Sequence, residues 1–366
     1  MGVSCHDLLA KQDKKPRPHL SRYLQNALLV FLLAGFLLTG CMQEKESAAV
    51  GPVFSTTARV EYKIVDSHLH YLDFTQETDG FINLVAKMDE ANVSHAIVFG
   101  MPFSTQLSGI NSPSPNNSTS FGSDLYYFSA TDYIMMEELR AQDKSIRERF
   151  YPFICGFNPG DKNTAKYFRS LLEAYPGEIY GIGELMSRRD DLAILDDVEP
   201  PRADHPSLLE VYDLAAEYDL PVLIHSNLSD SYAKGVLYLE EMQNALAHNR
   251  DTNIIWAHVG VARHVEVPNL LEIAEMMLAE NDNLYYDLSW VFYEDYLVND
   301  LSGWAQLAER YSDRIVLGTD EVGHWDTYVD DVVKYYEFLD ILSPQTSQNL
   351  CRNNILKLIH VEEAHS

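Results

Sequence analysis

Two histidines separated by one residue, His68 and His70, close the apolar run I-V-D-S-H-L-H at residues 64–70. In an extended strand alternate side chains share a face, so both imidazoles point one way, about 7 Å apart along the backbone. Such a pair can grip one metal ion. Four further residues of metal-ligand type follow short apolar stretches downstream: Glu184, His225, His258 and Asp320. Taken singly, a histidine at a strand end is more often a hydrogen-bonding residue, and an aspartate there more often a helix cap. Six of them in register point to a metal centre. Histidine and carboxylate donors suit Zn²⁺ and, less selectively, Mn²⁺, Fe²⁺ or Co²⁺. A bound metal lowers the pKa of water from about 15.7 towards about 7, which makes hydrolysis accessible at neutral pH.

The elements that must position these residues are strands alternating with helices. Hydrophobic patterning predicts strands at 62–66, 96–99, 152–157, 180–183, 222–224, 253–257, 284–287 and 314–317. Amphipathic helices are expected between them, among them 81–91, 133–149 and 164–174. Ser207 and Glu210 read as a capping box opening another, which ends near Tyr218 ahead of Pro221. Eight strand-helix units in roughly 300 residues match a (β/α)₈ barrel, whose strands bring their C-terminal ends to one mouth. On that fold the six candidates converge although they are far apart in sequence. Residues 100–131, polar and then aromatic, are too long for a routine connection and form an insertion after the second strand.

The chain of 366 residues is 46% hydrophobic and carries 27 Lys and Arg against 55 Asp and Glu, a net charge of −28. A surface of that sign argues against nucleic acid as a partner, because phosphate is bound largely by Lys and Arg. Four cysteines without zinc-finger spacing do not make a disulfide framework. Near the N-terminus, Lys11, Lys14, Lys15, Arg17 and Arg22 precede an apolar run at 27–38, a basic flank and short apolar core typical of a secretory signal. Its end, Leu38-Thr-Gly-Cys41, resembles the lipobox of bacterial lipoproteins. That resemblance implies a lipid on Cys41, a membrane-anchored protein of the bacterial cell envelope and, with Met42 next in sequence, the outer membrane. The chain divides into a signal peptide (1–40), a lipidated tether (41–60), the barrel (61–361) and a tail (362–366).

The motifs V-D-S-H-L-H, G-I-G-E-L, L-P-V-L-I-H-S, I-I-W-A-H-V-G, N-L-Y-Y-D-L-S and R-I-V-L-G-T-D occur in the order of the amidohydrolase superfamily, and of its amidohydrolase-related branch in particular. The stretch N-L-C-R-N-N-I-L-K-L-I resembles that family's closing helix. The resemblance implies a metal-dependent TIM-barrel hydrolase in which His68, His70 and Asp320 hold one metal and His225 and His258 a second. Binuclear relatives bridge the ions with a carboxylated lysine or a glutamate on the fourth strand; here Glu184 occupies that place. With a single ion, His68, His70, His225 and Asp320 would hold it, and His258 would become a catalytic or substrate-polarising group. Asp320 is the expected general acid/base for cleaving an ester, lactone or amide in a small-molecule substrate.

Among substrate contacts, Arg263 offers a planar two-donor fork for a carboxylate or phosphate, and Trp290 and His324 follow the seventh and eighth strands. Asp287 is expected to support a metal-binding histidine. The branch also resembles decarboxylases and hydratases, so a single-metal lyase is the alternative function.

Overall fold

A computed structural model describes residues 62–106, 125–189, 192, 199–233 and 235–361. The expected signal peptide, Cys41, the tether, the tail and the centre of the insertion lie outside the described residues. Among those described, no helix is long and apolar enough to cross a membrane.

Among the described residues, twelve strands occur in chain order: β1 (Ile64–Asp66), β2 (Leu69–His70), β3 (Val93–Val98), β4 (Phe103–Thr105), β5 (Leu125–Tyr127), β6 (Phe150–Ile154), β7 (Gly181–Met186), β8 (Val222–His225), β9 (Ile254–Trp256), β10 (Leu284–Asp287), β11 (Ile315–Val316) and β12 (Glu321–Val322). Eight of them form one parallel sheet in the order β1-β3-β6-β7-β8-β9-β10-β11. Parallel neighbours need crossovers, and helices such as Gly80–Glu90, Thr164–Ala174, Pro206–Tyr218 and Leu270–Glu280 supply them. The first and last strands meet where β12 pairs with β2 and where the Ser67 N–H donates to Leu317 O at 3.1 Å. This is the α/β TIM barrel that the sequence predicts, with all eight expected strands present.

Alternation along the strands sorts side chains into two cores. Val65, Ile97, Phe153, Leu223, Ile255 and Val316 fill the interior of the sheet, and Ile355, Leu356, Leu358 and Ile359 of the C-terminal segment pack against them. Their neighbours in sequence, such as Ile64, Val98, Ile154 and Ile224, face the helices. Each fully buried side chain of this size contributes about 1.5–3 kcal/mol.

Four expectations need correction. The helix predicted at 133–149 is two helices, Thr131–Arg140 and Lys144–Arg147, because Asp143 is extended and starts a new turn by accepting from the N–H groups of Ile146 and Arg147. Ser207 is not an N-cap: Pro206 already lies inside the helix and His205 caps it, its Nδ1 accepting from the Ser207 N–H at 3.3 Å. The third strand ends at Ile154 instead of 157, and the fourth runs on to Met186, past Glu184. The insertion begins and ends in an antiparallel hairpin, β4 with β5.

Candidate metal centre

Glu184 lies within a strand, yet its carboxylate faces the mouth of the barrel because β7 is irregular there. The pairing of β7 with β8 shifts register between Ile182 and Leu185. An extra residue in one strand bends it and re-aims its side chains. Gly183 occupies the bend at φ +139°, and a Cβ on it would lie 2.3 Å from Leu223 O. Glycine is the residue that fits.

From that position Glu184 meets all four histidines. Its Oε2 lies 3.2 Å from His70 Nε2 and 3.7 Å from His68 Nε2; its Oε1 lies 3.3 Å from His225 Nδ1 and 3.5 Å from His258 Nε2. Asp320 closes the first side, with Oδ1 at 3.2 Å from His68 Nε2 and 3.5 Å from His70 Nε2. Two groups of candidate ligands result, His68–His70–Asp320 and Glu184–His225–His258, each with its ligand atoms within 4.8 Å of one another. The six residues named from the sequence therefore come together. A third group, His68–His258–Asp287, has the same compactness.

The surrounding shell fixes these side chains. His70 Nδ1 donates to Gly100 O at 3.0 Å, and His68 Nδ1 to Asp287 Oδ2 at 2.9 Å, so Asp287 supports a histidine as expected. Ser289, which sequence reading passed over, lies 2.8 Å from His258 Nδ1. The spacing D-L-S places Asp287 and Ser289 on one face by strand periodicity, a signal that would have found it. Asp66 was also missed. Its carboxylate accepts from the N–H groups of His68 and Thr319 at 3.1 and 3.0 Å and from the Thr319 hydroxyl at 2.8 Å, tying together the loops that carry His68 and Asp320. His258, Trp290 and Asp320 hold left-handed backbone at φ +53°, +56° and +62°. Such conformations cost about 1–3 kcal/mol each and gather at functional sites.

Charge dominates the interior. Burial would raise the Glu184 carboxyl, but the charge of His68 and the flanking His225 and His258 hold it well below the usual carboxylate range. Burial likewise disfavours a charged His68, and the carboxylates of Asp320, Glu184 and Asp287 override it and raise its pKa well above the ordinary value. Asp320 is lowered against its own burial, chiefly by His68. His68 Nε2 and Glu184 Oε1 are buried without a hydrogen bond. Buried nitrogen and oxygen atoms left without a partner in a cage of imidazoles and carboxylates fit a divalent cation, which would take the place of the proton on such a nitrogen.

His70, Glu184, His225, His258 and Asp320 floor a cavity of about 560 Å³ whose walls include Phe74, Met101, Met186 and Leu192. All three expected substrate contacts line it. Arg263 stacks over the Trp290 ring at 5.0 Å, and Trp290 in turn packs edge-on to His258 at 5.0 Å. His324 stands at the rim between Asp79 at 3.1 Å and Asp73 at 3.4 Å, so its ring is engaged by carboxylates of the protein.

The chain is similar in structure to a TIM-barrel protein from Bordetella bronchiseptica, with a TM-score of 0.54 at 13% identity over 81% of this chain and 98% of that one. A zinc-bound amidohydrolase from Burkholderia multivorans gives a TM-score of 0.52 at 12% identity, over 82% and 99%. A probable 2-pyrone-4,6-dicarboxylic acid hydrolase from Acinetobacter baumannii gives 0.51 at 10%, over 81% and 99%. No curated protein matches the chain. Residues 138–360, which contain Glu184, His225, His258 and Asp320, match the amidohydrolase family model. With that match over more than half of its length, the chain belongs to the amidohydrolase family and is an enzyme of the amidohydrolase type.

Proposed function

We propose that the protein hydrolyses an ester, lactone or amide bond in a small molecule, with the help of two divalent ions that the histidines and carboxylates around Glu184 would hold. The observation that supports this most is the split of the Glu184 carboxylate, one oxygen towards His68 and His70 and the other towards His225 and His258. His68, His70 and Asp320 would hold one ion, and His225 and His258 the other. Zinc suits the donor set. Bound there, such ions supply acidified water and polarisation of the scissile carbonyl at neutral pH.

The protein's own groups do the rest. Asp320 is the most exposed carboxylate of the centre, at 11% against 1% for Glu184, and it faces the cavity. It takes the proton of the attacking water and returns it to the leaving atom. Its backbone N–H donates to His68 O at 2.8 Å, which fixes the carboxylate relative to that histidine. Arg263, held against Trp290, offers its N–H groups to a substrate carboxylate or phosphate. Trp290, Phe74 and the two methionines exclude water from the apolar part of the substrate.

The test is turnover of a panel of aryl esters, lactones and N-acyl amides by protein purified without chelators, followed by Asp320→Asn on whichever substrate reacts. With metal content retained, the variant should lose about 10²–10⁴ in kcat. Wild-type turnover in that variant would sink the acid/base assignment, and an inert panel would sink the hydrolase reading.

We also propose that residues 1–40 are a cleaved signal and that Cys41 carries the lipid that anchors the enzyme, in the outer membrane. Cys41→Ser should move the protein from the membrane fraction to the soluble one; an unchanged distribution would remove the anchor.

A further inference from the structure

Two histidines on different elements, His68 and His258, turn the same ring nitrogen, Nε2, towards the carboxylates of the candidate metal centre, and the residues behind them explain why. Asp287 Oδ2 lies 2.9 Å from His68 Nδ1. The same oxygen is 3.8 Å from His258 Nδ1, too far for a hydrogen bond. Between them stands the Ser289 hydroxyl, which donates to Asp287 Oδ2 and lies 2.8 Å from His258 Nδ1. All four side chains are buried.

The directions of these bonds are forced by their chemistry. An ionised carboxylate only accepts, so His68 carries its proton on Nδ1. The single hydrogen of the Ser289 hydroxyl goes to Asp287, so its oxygen is left to accept, and His258 must also carry its proton on Nδ1. Ser289 Oγ lies 3.4 Å from His68 Nδ1, a contact too long to compete with the 2.9 Å bond to Asp287. With Nδ1 so engaged, both rings aim Nε2 into the site, His68 towards Asp320 at 3.2 Å and His258 towards Glu184 at 3.5 Å, where each Nε2 would be the donor to a bound ion. We propose that Ser289 is a positioning residue that extends the reach of Asp287 to His258, so that one carboxylate sets the tautomer of a histidine in each of the two ligand groups. The inference deepens the two-ion reading of the site and rests on it for its effect on metal. The hydrogen-bond order itself does not depend on that reading.

The experiment uses zinc-loaded full-length protein with ¹⁵N-labelled histidine, as wild type, Ser289→Ala and Ser289→Thr. In the wild type, imidazole N–H signals should place a slowly exchanging proton on Nδ1 of both His68 and His258. Ser289→Ala should lose the slowly exchanging signal of His258 and keep that of His68, and the second zinc equivalent should bind about 10–100-fold more weakly. Ser289→Thr, which keeps the hydroxyl, should restore both. A protected His258 Nδ1 proton in Ser289→Ala would overturn the proposal. If that proton is lost while zinc binding is unchanged, the relay stands and the assignment of His258 as a ligand falls.

Discussion

Replacing Gly183 by alanine tests whether the irregularity in β7 is what aims Glu184. The new Cβ would lie 2.3 Å from Leu223 O and 2.7 Å from the Leu223 side chain, on a backbone at φ +139°. The conformation costs an L-residue about 1–3 kcal/mol, and forcing a methyl into packed surroundings costs typically about 1–3 kcal/mol more. The sum, about 2–6 kcal/mol, is a large fraction of the roughly 5–15 kcal/mol by which proteins of this kind are stable. Relief requires β7 to move away from β8 at the very residue preceding Glu184, so metal should be lost together with stability. Gly177→Ala is the control, since its φ is +76° but nothing lies within 4 Å of the added Cβ. That variant should lose only about 1–2 kcal/mol and no metal. Urea unfolding gives the stabilities and elemental mass spectrometry the metal per chain. If Gly183→Ala unfolds at the wild-type urea concentration with its full metal content, the steric reasoning about β7 is wrong.

Two further outcomes follow from buried groups outside the metal centre. Phe153, in the interior of the sheet, packs its ring on Gly181, which has no side chain to refill the space, so Phe153→Ala should cost about 3–5 kcal/mol in urea unfolding. Burial raises the Asp132 carboxyl from 3.8 to about 6, against hydrogen bonds from the N–H groups of Cys155 and Gly156. A carboxyl whose pKa is higher in the folded state contributes stability below about pH 4 and loses it as pH rises through about 6. Two units correspond to about 3 kcal/mol, so the stability of wild type relative to Asp132→Asn should fall by up to that amount between pH 4 and 6.5. A flat difference across that window would contradict the assignment.

The strands were legible because each is a short apolar run of β-branched and aromatic residues bounded by polar or glycine-containing segments, and strand ends in a barrel carry the site. That logic located His68, His70, His225, His258 and Asp320 without knowledge of their contacts. It placed Glu184 after a strand when it lies inside one, because a shift of register depends on the neighbouring strand and leaves only Gly183 as a trace in the sequence. Ser207 and Glu210 have capping-box spacing, yet Pro206 fits the first helical position and starts the helix two residues before the Leu208 that such a box implies. No glycine or proline marks the break at Asp143. Ser289 and Asp66 were passed over because they act through hydrogen bonds to other residues of the site, and residue type alone does not distinguish them from ordinary polar residues.

The most direct test of the central claim is the metal content of the wild-type protein and of Glu184→Ala, purified without chelators and measured by elemental mass spectrometry. The arrangement of four histidines around the two oxygens of Glu184 predicts close to two equivalents per chain in the wild type and a clear loss in the variant. Close to one equivalent in the wild type, unchanged in Glu184→Ala, would contradict the two-ion site and leave His258 free to act on substrate.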